Sequence, residues 1–366
     1  MERGRQTVQD YVSTAPRYEV NRESIPAMWT HQTNNLRRLL CLVLLSLPLK
    51  AMGGCPTCTN PDLPHLGAPK FQNEMGVGAL GLSLNLRGSS GRSTHQQSAA
   101  LGESGAGDVE GKDKRAWDYM MVAMTMDVEQ AISTGWGWAI TVPTRFMSVK
   151  EDTSYGLDDS MAITQKNEHG VTHTGLGDVS LFAVGYLRAN PKRAWSVTVR
   201  LGVTIPTGNT LPDPYAETES QSGHDHVFFG SGTVDPRVLL YFRKALGPLT
   251  LHLSAHYRSA FYANKHGYRM GMQTGGGMTL SSSLGWTDYR FSIGGEGVYE
   301  SASQWEESGS KDLFSGRSGY VLSLEAARSF SDWELALGAD FPIIVSTANG
   351  DFTIPFVAQL TARYML

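Results

Sequence analysis

Apolar and polar residues alternate along most of the chain, in segments of ten to fourteen residues that each end at a break. In GALGLSLNLR, for example, Leu82, Leu84 and Leu86 fall on one face, and Ser83 and Asn85 fall on the other. A period of two residues is typical of a β-strand with one apolar and one polar face. The pattern therefore predicts an all-β fold.

About twelve segments follow this pattern. Their length is close to the roughly 9–11 residues that a tilted strand needs to cross a bilayer, and bacterial single-chain barrels have an even number of strands. We therefore predict a transmembrane, antiparallel, up-and-down β-barrel of about twelve strands over residues 75–366. The predicted strands span residues 75–87, 117–129, 135–149, 176–188, 195–206, 232–244, 249–262, 276–286, 289–300, 318–329, 333–345 and 354–366.

The links between the predicted strands alternate between short and long. Outer-membrane barrels have short periplasmic turns and long extracellular loops, so the long links are predicted to lie outside the cell. Short links fall at 130–134, 189–194, 245–248, 287–288 and 330–332, and long links at 88–116, 150–175, 207–231, 263–275 and 301–317, with a shorter one at 346–353.

Aromatic residues stand at the ends of several predicted strands. Such placement is typical of the aromatic girdles that mark the two lipid interfaces. The residues concerned are Trp117, Trp136, Trp195, Trp286, Trp333 and Tyr364.

The last predicted strand, FVAQLTARYML, places Phe356, Leu360, Tyr364 and Leu366 on one face. It resembles the C-terminal strand that outer-membrane proteins present to the barrel-assembly machinery, which is therefore an expected partner. A soluble β-sandwich or a lipocalin-like barrel is the alternative fold. It would have shorter strands and no regular alternation of loop length.

The bulk composition limits the partners. The formal net charge is −4 and the pI is near 6.2, so the chain has no basic surface for nucleic acid. The mean hydropathy of −0.23 excludes a bundle of membrane helices, since that fold needs several apolar runs of about 20 residues. Nothing in the sequence indicates a cofactor.

One short apolar run, LLCLVLLSLPL at residues 39–49, follows Arg37 and Arg38 and precedes several small residues. A basic region, an apolar core and a small-residue cleavage zone form a secretory signal peptide. We therefore predict a signal peptide at 28–54 and interpret residues 1–27 as a mis-annotated N-terminal extension. An N-terminal membrane anchor is the alternative.

Two cysteines, Cys55 and Cys58, follow the predicted signal peptide in the motif CPTC. A close pair in an oxidising compartment most simply forms a disulfide, and lipidation of Cys55 is a second interpretation. A metal site would need more ligands than two thiolates. Residues 55–74 are interpreted as a periplasmic lead-in that could enter the barrel as a plug.

His252 and His256 lie four residues apart in LTLHLSAHYR, a spacing that zinc-binding helices use. Leucines alternate with them here, so the strand interpretation places both on one polar face. In a barrel that face looks into the lumen, because polar side chains are unfavourable against lipid. An ion-paired lining of this kind can set the selectivity of a pore. The predicted pore-lining residues are Arg145, Arg200, Arg237, His252, His256, Arg258, Glu296 and Glu334.

Histidines in the long links raise the alternative of a metal-linked outer-membrane protein. SGHDHVFFGSG brings His224, Asp225 and His226 together, and His169 and His173 are spaced four apart. Exposed imidazole and carboxylate groups are ligands for zinc or copper.

An enzymatic alternative rests on His252 and Ser254, whose spacing is similar to the His-x-Ser pair of twelve-stranded outer-membrane phospholipases. A general base activates a serine only within hydrogen-bond reach and with a third group orienting the imidazole. Those lipases direct the pair towards lipid, whereas leucines occupy that face here, so we predict that the protein is not an enzyme. A structural or adhesive barrel acting through its loops is a further alternative.

Three segments near the middle of the chain share motifs with a known family. The motifs are Gly177-Asp178, Pro206-Thr207-Gly208, Gly230-Ser231-Gly232 and Asp235-Pro236. Over about 70 residues these segments resemble the putative outer-membrane channel family associated with phenol-degradation pathways, a relative of hydrophobic-compound transporters. The resemblance implies uptake or export of small organic molecules, with no residue-level site to transfer.

The pattern and the resemblance predict one class of protein. We expect a porin-like channel or transporter for small solutes in the outer membrane of a Gram-negative bacterium. Its expected partners are the outer-membrane lipids and a small-molecule solute.

Overall fold

The computed structural model describes residues 78–99, 111–156, 167–188, 194–210, 229–283, 288–306, 315–347 and 351–366. The strands in these ranges are β1 (Leu80–Ala99), β2 (Gly111–Ala131), β3 (Trp136–Gly156), β4 (Asn167–Leu176), β5 (Val179–Arg188), β6 (Trp195–Ile205), β7 (Asp235–Leu246), β8 (Leu249–Arg258), β9 (Tyr268–Arg269), β10 (Gln273–Ser283), β11 (Tyr289–Glu300), β12 (Gln304–Trp305), β13 (Arg317–Phe330), β14 (Trp333–Thr347), β15 (Asp351–Thr353) and β16 (Val357–Met365). Among the described residues there is no helix that is long and apolar enough to span a bilayer.

Most of the strands form one antiparallel sheet that closes on itself, because β1 pairs with β2 on one side and with β16 on the other. Two strand positions are each shared by a pair of strands. β4 and β5 lie in succession beside β3, and β15 and β16 lie in succession beside β1. The described wall therefore has twelve strand positions, and the predicted twelve-stranded barrel is confirmed.

The outward faces of the strands form an apolar belt. Leu337 is 66% exposed, whereas its neighbour Ala336 is 3% exposed because it points into the barrel. The predicted leucine face of β1 also points outward. Trp136 and Trp333 lie exposed at the periplasmic ends of their strands, as an aromatic girdle requires, and Tyr320 lies near the extracellular end of β13.

The wall is taller on one side of the barrel. β2 and β3 have 21 residues each, whereas β6 has 11 and β8 has 10. The prediction that residues 88–116 and 150–175 are loops is wrong in part, since strand pairing continues to Ala99 and Gly156. Backbone hydrogen bonds hold these extensions together above the membrane. These extensions do not need an apolar face in water, so apolar and polar residues do not alternate along them.

The predicted single strand 176–188 is interrupted. Gly177 and Asp178 separate β4 from β5, and the N–H of Gly177 donates to the carbonyl of Pro143 at 2.9 Å. Pro143 lies in β3 at the level of this break and has no N–H with which to continue the ladder. The interruption lets the Asp178 side chain leave the wall and turn inward.

Two extracellular loops fold against each other. The predicted strand 249–262 ends early, at Arg258, and the chain then forms the two-residue strand β9, which pairs with β12. The rings of Tyr268 and Trp305 lie 4.8 Å apart, and the hydroxyls of Tyr268 and Ser303 are hydrogen-bonded at 3.0 Å. These contacts order the outer rim beside β8, β10 and β11.

Candidate functional site: the barrel interior

The predicted pore-lining residues lie on the inward register of their strands. Arg145 shares its register with the fully buried Met147, and Glu334 shares its register with the buried Asp340. The other six predicted residues also occupy inward-facing positions, on β6, β7, β8 and β11. Their part in selecting solutes stays a prediction.

Glu129 and Arg200 form an ion pair inside the barrel. Their side chains are 2% and 8% exposed. The hydroxyl of Tyr186 donates to Glu129 Oε1 at 2.5 Å, and the Arg200 guanidinium lies 5.8 Å from the ring centroid of Tyr241. A buried ion pair is stable only when further hydrogen bonds offset its desolvation, and Tyr186 supplies one of them.

A second network joins β11, β13, β14 and β16. Arg290 Nη2 donates to Glu334 Oε1 at 2.9 Å and to Glu325 Oε1 at 3.1 Å. Arg363 contacts the same two carboxylates. Two cations and two anions make this part of the lining neutral, so it braces the wall more than it attracts charge.

A third network forms around Asp178, at the break between β4 and β5. Its Oδ2 accepts hydrogen bonds from the N–H and the hydroxyl of Ser231, each at 2.7 Å, and from Arg258 Nη2 at 3.1 Å. Arg258 also donates to Asp235 Oδ2 from Nε at 3.0 Å and from Nη2 at 2.6 Å. We call Asp178, Ser231, Asp235 and Arg258 the Asp178 cluster.

Three members of the Asp178 cluster, Asp178, Ser231 and Asp235, lie in the motifs that carry the family resemblance. Asp178 Oδ1 accepts from the N–H of Gly208 at 3.3 Å, so its carboxylate holds both stems of the loop between β6 and β7. The stems touch at two glycines, since a Cβ on Gly208 would lie 2.5 Å from the Cα of Gly230. Side chains at these positions would push the stems apart.

Phe229, next to these stems, packs into the extracellular half of the interior. It belongs to an apolar cluster contributed by β2, β3, β13, β16 and the segment before β16. The members are Tyr119, Met147, Phe229, Val321, Ile354 and Val357. This cluster narrows the described interior from the extracellular side.

A second apolar cluster lines the interior on β2, β3, β5 and β7, and it includes Phe182, Tyr186 and Tyr241. The Arg237 guanidinium lies 5.6 Å from the Phe182 ring centroid and donates to Ser180 Oγ at 2.8 Å. We call Phe182, Tyr186, Tyr241 and Arg237 the aromatic wall. It offers ring faces together with a cation.

Strands β8, β10, β11, β13, β14 and β16 line a small cavity of about 70 Å³, with the polar side chains of His252, Ser254 and Thr279 among its lining. Glycines on β10 leave the space, since a Cβ on Gly277 would lie 3.3 Å from Ser254 Oγ. A cavity of this size holds a few water molecules. The free space beside β8 and β10 is therefore small.

The two lumen histidines keep free hydrogen-bonding atoms. His252 Nδ1 and both ring nitrogens of His256 are buried without a partner among the described residues. Since buried polar atoms are almost always hydrogen-bonded, water is their expected partner. The described ranges contain no group of three or more His, Cys, Asp or Glu side chains that could hold a metal ion.

Several predictions fall on residues outside the described ranges. The loop ligands His224, Asp225 and His226 and the cysteines Cys55 and Cys58 are among them. The segments 1–27, 28–54 and 55–74 also lie outside the described residues. All of these stay predictions.

Sequence reasoning missed Asp178 and Glu129 as interior side chains, and it predicted an ion-paired lining without the aromatic wall. A signal was present, because Phe182, Val184 and Tyr186 occupy the polar register of the segment 176–188. That register is buried inside the barrel, at 5%, 2% and 8% exposure. The interior is thus partly apolar.

Comparison with known proteins gives structural similarity without sequence similarity. No protein-family model matches the chain, and no curated protein matches its sequence. Among solved structures, the COG4313 outer-membrane channel from Pseudomonas putida F1 is similar with a TM-score of 0.54 and 15% identity, covering 82% of this chain and 100% of that one.

Two further solved structures are less similar. A Pseudomonas aeruginosa FadL homologue has a TM-score of 0.39 at 10% identity, over 78% of this chain and 90% of that chain. OpdK of Pseudomonas aeruginosa, solved with vanillate, has a TM-score of 0.29 at 10% identity, over 78% of this chain and 98% of that chain. The similarity to the COG4313 channel and the closed barrel confirm the bacterial outer-membrane β-barrel fold and its location in the outer membrane.

Proposed function

We propose that this outer-membrane barrel is a narrow channel for small organic solutes, selected by charge and by shape. The observation that carries the proposal is the two-sided interior. The aromatic wall offers ring faces and the Arg237 guanidinium, while the polar cavity on β8 and β10 offers His252, Ser254 and Thr279. A solute with an apolar body and a polar substituent complements both sides.

The proposed selection is electrostatic and involves no covalent chemistry. Arg237 makes no ion pair within the part of the chain that the structure describes, so its charge acts on the lumen. Arg200 and Glu334 are neutralised by their partners and would mainly keep the wall rigid. His252 and Ser254 lie inside the barrel, away from lipid, which does not favour a phospholipase.

The proposal assigns residues 55–74 the role of a periplasmic plug. The reason is their proline-rich sequence directly before the first strand. Deleting residues 55–74 from the full chain should raise the single-channel conductance. An unchanged conductance in a folded deletion variant would remove this part of the proposal.

The proposal is tested by measuring the single-channel conductance of the refolded full chain and the solute uptake that it supports. In planar bilayers we expect discrete conductance steps, because the lumen is narrow but polar on one side. In proteoliposomes, a small aromatic alcohol and an aromatic carboxylate should enter faster than a monosaccharide. A folded barrel that shows neither steps nor uptake would contradict the proposal.

A further inference from the structure

Arg328 presents a positive charge to the lipid side of the barrel. It lies on the outward register near the periplasmic end of β13, next to Ala327, which is 2% exposed and points inward. Its guanidinium lies 5.2 Å from the ring centroid of Tyr289 and 4.6 Å from that of Phe330. Among the described carboxylates, none forms an ion pair with it, including Asp288 and Asp332 in the adjacent turns.

A cation on the lipid face is unfavourable within hydrocarbon, and the penalty falls towards the interface. Arg328 is three residues from the periplasmic turn at Ser331, so it stands at the level of the lipid headgroups. The anion available at that level is phosphate. A guanidinium binds phosphate through two parallel hydrogen bonds.

An apolar groove of about 720 Å³ lies on the outer surface of the barrel, and its lining ends on β13 at Ala326. Ala326, two residues from Arg328 on the same face, presents only a methyl group to the groove. Phe291 on β11 and Leu337 on β14 flank Ala326 in register, and both are exposed. Leu280, Ile293 and Leu324 continue the lining.

Arg328 and the groove are as close to each other as the phosphate and the acyl chains of one lipid. Residues two apart along a strand are separated by roughly 6–7 Å, so the backbone of Arg328 lies just beyond the Ala326 end of the groove. Its guanidinium lies against Phe330, on the periplasmic side of the groove. In a glycerophospholipid the phosphate likewise adjoins the acyl chains. We propose that Arg328 and the groove over Ala326 bind one phospholipid of the periplasmic leaflet, with its phosphate on Arg328 and an acyl chain along Ala326.

The two aromatic rings make Arg328 more than an ordinary interfacial cation. Contacts with Tyr289 and Phe330 hold the guanidinium in place before a lipid arrives. Less side-chain entropy is then lost on binding. The site is independent of the proposed channel activity, and a barrel that conducts nothing would still bind the lipid.

The experiment is native mass spectrometry of the full chain in detergent. The protein is titrated with increasing amounts of phosphatidylglycerol before it is released from the detergent. We expect one phospholipid to remain bound. Arg328→Gln should weaken retention about tenfold, the size of effect of one charge-assisted hydrogen bond. Ala326→Leu should weaken it by filling the groove. Arg328→Lys, which keeps the charge but not the planar group, should retain part of the binding.

Matched controls separate this site from general lipid contact. Ala183→Leu enlarges an outward alanine on β5, and Arg92→Gln removes an exposed cation on β1; neither should change retention. Correct folding of each variant is checked by heat-modifiable mobility on gels. The proposal is overturned if no phospholipid is retained, if the controls weaken retention equally, or if phosphate-free diacylglycerol is retained as well as phosphatidylglycerol.

Discussion

Arg258 donates a hydrogen bond to Asp178 at 3.1 Å across a separation of 80 residues in the chain. The same guanidinium holds Asp235, so one cation compensates two carboxylates whose side chains are 4% and 0% exposed. The contact links β8 to the break between β4 and β5 and to the start of β7. Arg258 therefore supports the Asp178 carboxylate, which accepts hydrogen bonds from both stems of the loop that carries Phe229.

Arg258→Ala should destabilise the barrel by about 3–5 kcal/mol, because removing one partner leaves buried carboxylates uncompensated. Urea-induced unfolding of the protein in lipid vesicles measures the change. Arg92→Ala is the matched control. Its pair with Asp118 is 3.7 Å long and more than half exposed, so the loss should be within about 1 kcal/mol. Equal effects for the two variants would contradict the proposed importance of the Asp178 cluster.

Ser254→Phe should lower the single-channel conductance, because the new ring fills the cavity of about 70 Å³. Ala255→Phe, one residue further along β8, places the same ring on the lipid face and should leave the conductance unchanged. Planar-bilayer recordings of the two variants make the comparison. A larger effect for Ala255→Phe would place the conduction path elsewhere.

Glu129→Ala and Arg200→Ala should each lower the free energy of unfolding, since each leaves a buried charge without its partner. The double variant should lose less than the two single losses added together. A double-mutant cycle from urea unfolding gives this coupling energy. Additive losses would mean that the pair does not act as a unit.

Arg237→Gln should shift the ion selectivity of the channel towards cations, because it removes a guanidinium that no described carboxylate pairs with. Arg237→Lys keeps the charge and should keep the selectivity. The reversal potential under a salt gradient measures both. If the glutamine variant keeps the original reversal potential, Arg237 does not face the conduction path.

The barrel itself could be predicted from the sequence because lipid imposes a strict period on each strand. Leu82, Leu84 and Leu86 must face hydrocarbon, so their alternation with polar residues is visible without a structure. The extensions of β1 to β3 beyond the membrane could not be predicted this way. Both faces of those segments can be polar, and the backbone pairing that holds them leaves no mark on the sequence.

The sequence predicted which charged residues face the interior, but it did not predict how the interior side chains pack. The pattern separates inward from outward residues, but it does not say which inward side chains meet. The contact of Arg200 with Glu129 depends on the register of four strands, β2, β3, β5 and β6. The inward turn of Asp178 depends on Pro143 in a neighbouring strand, which interrupts the ladder. The family motifs marked the right residues without revealing that they form one cluster.

The closure of the wall by β1 and β16 sets the order in which the barrel can assemble. β1 and β2 share twenty residue pairs close in sequence, whereas β1 and β16 share nine, and Asn85 donates to Thr361 across 276 residues. Contacts so distant in sequence carry a large cost in loop-closure entropy and are slow to form. Until the final strand arrives, the open edge of β1 can pair with another chain. A protein that lacks β16 should therefore aggregate, because it cannot complete the ring.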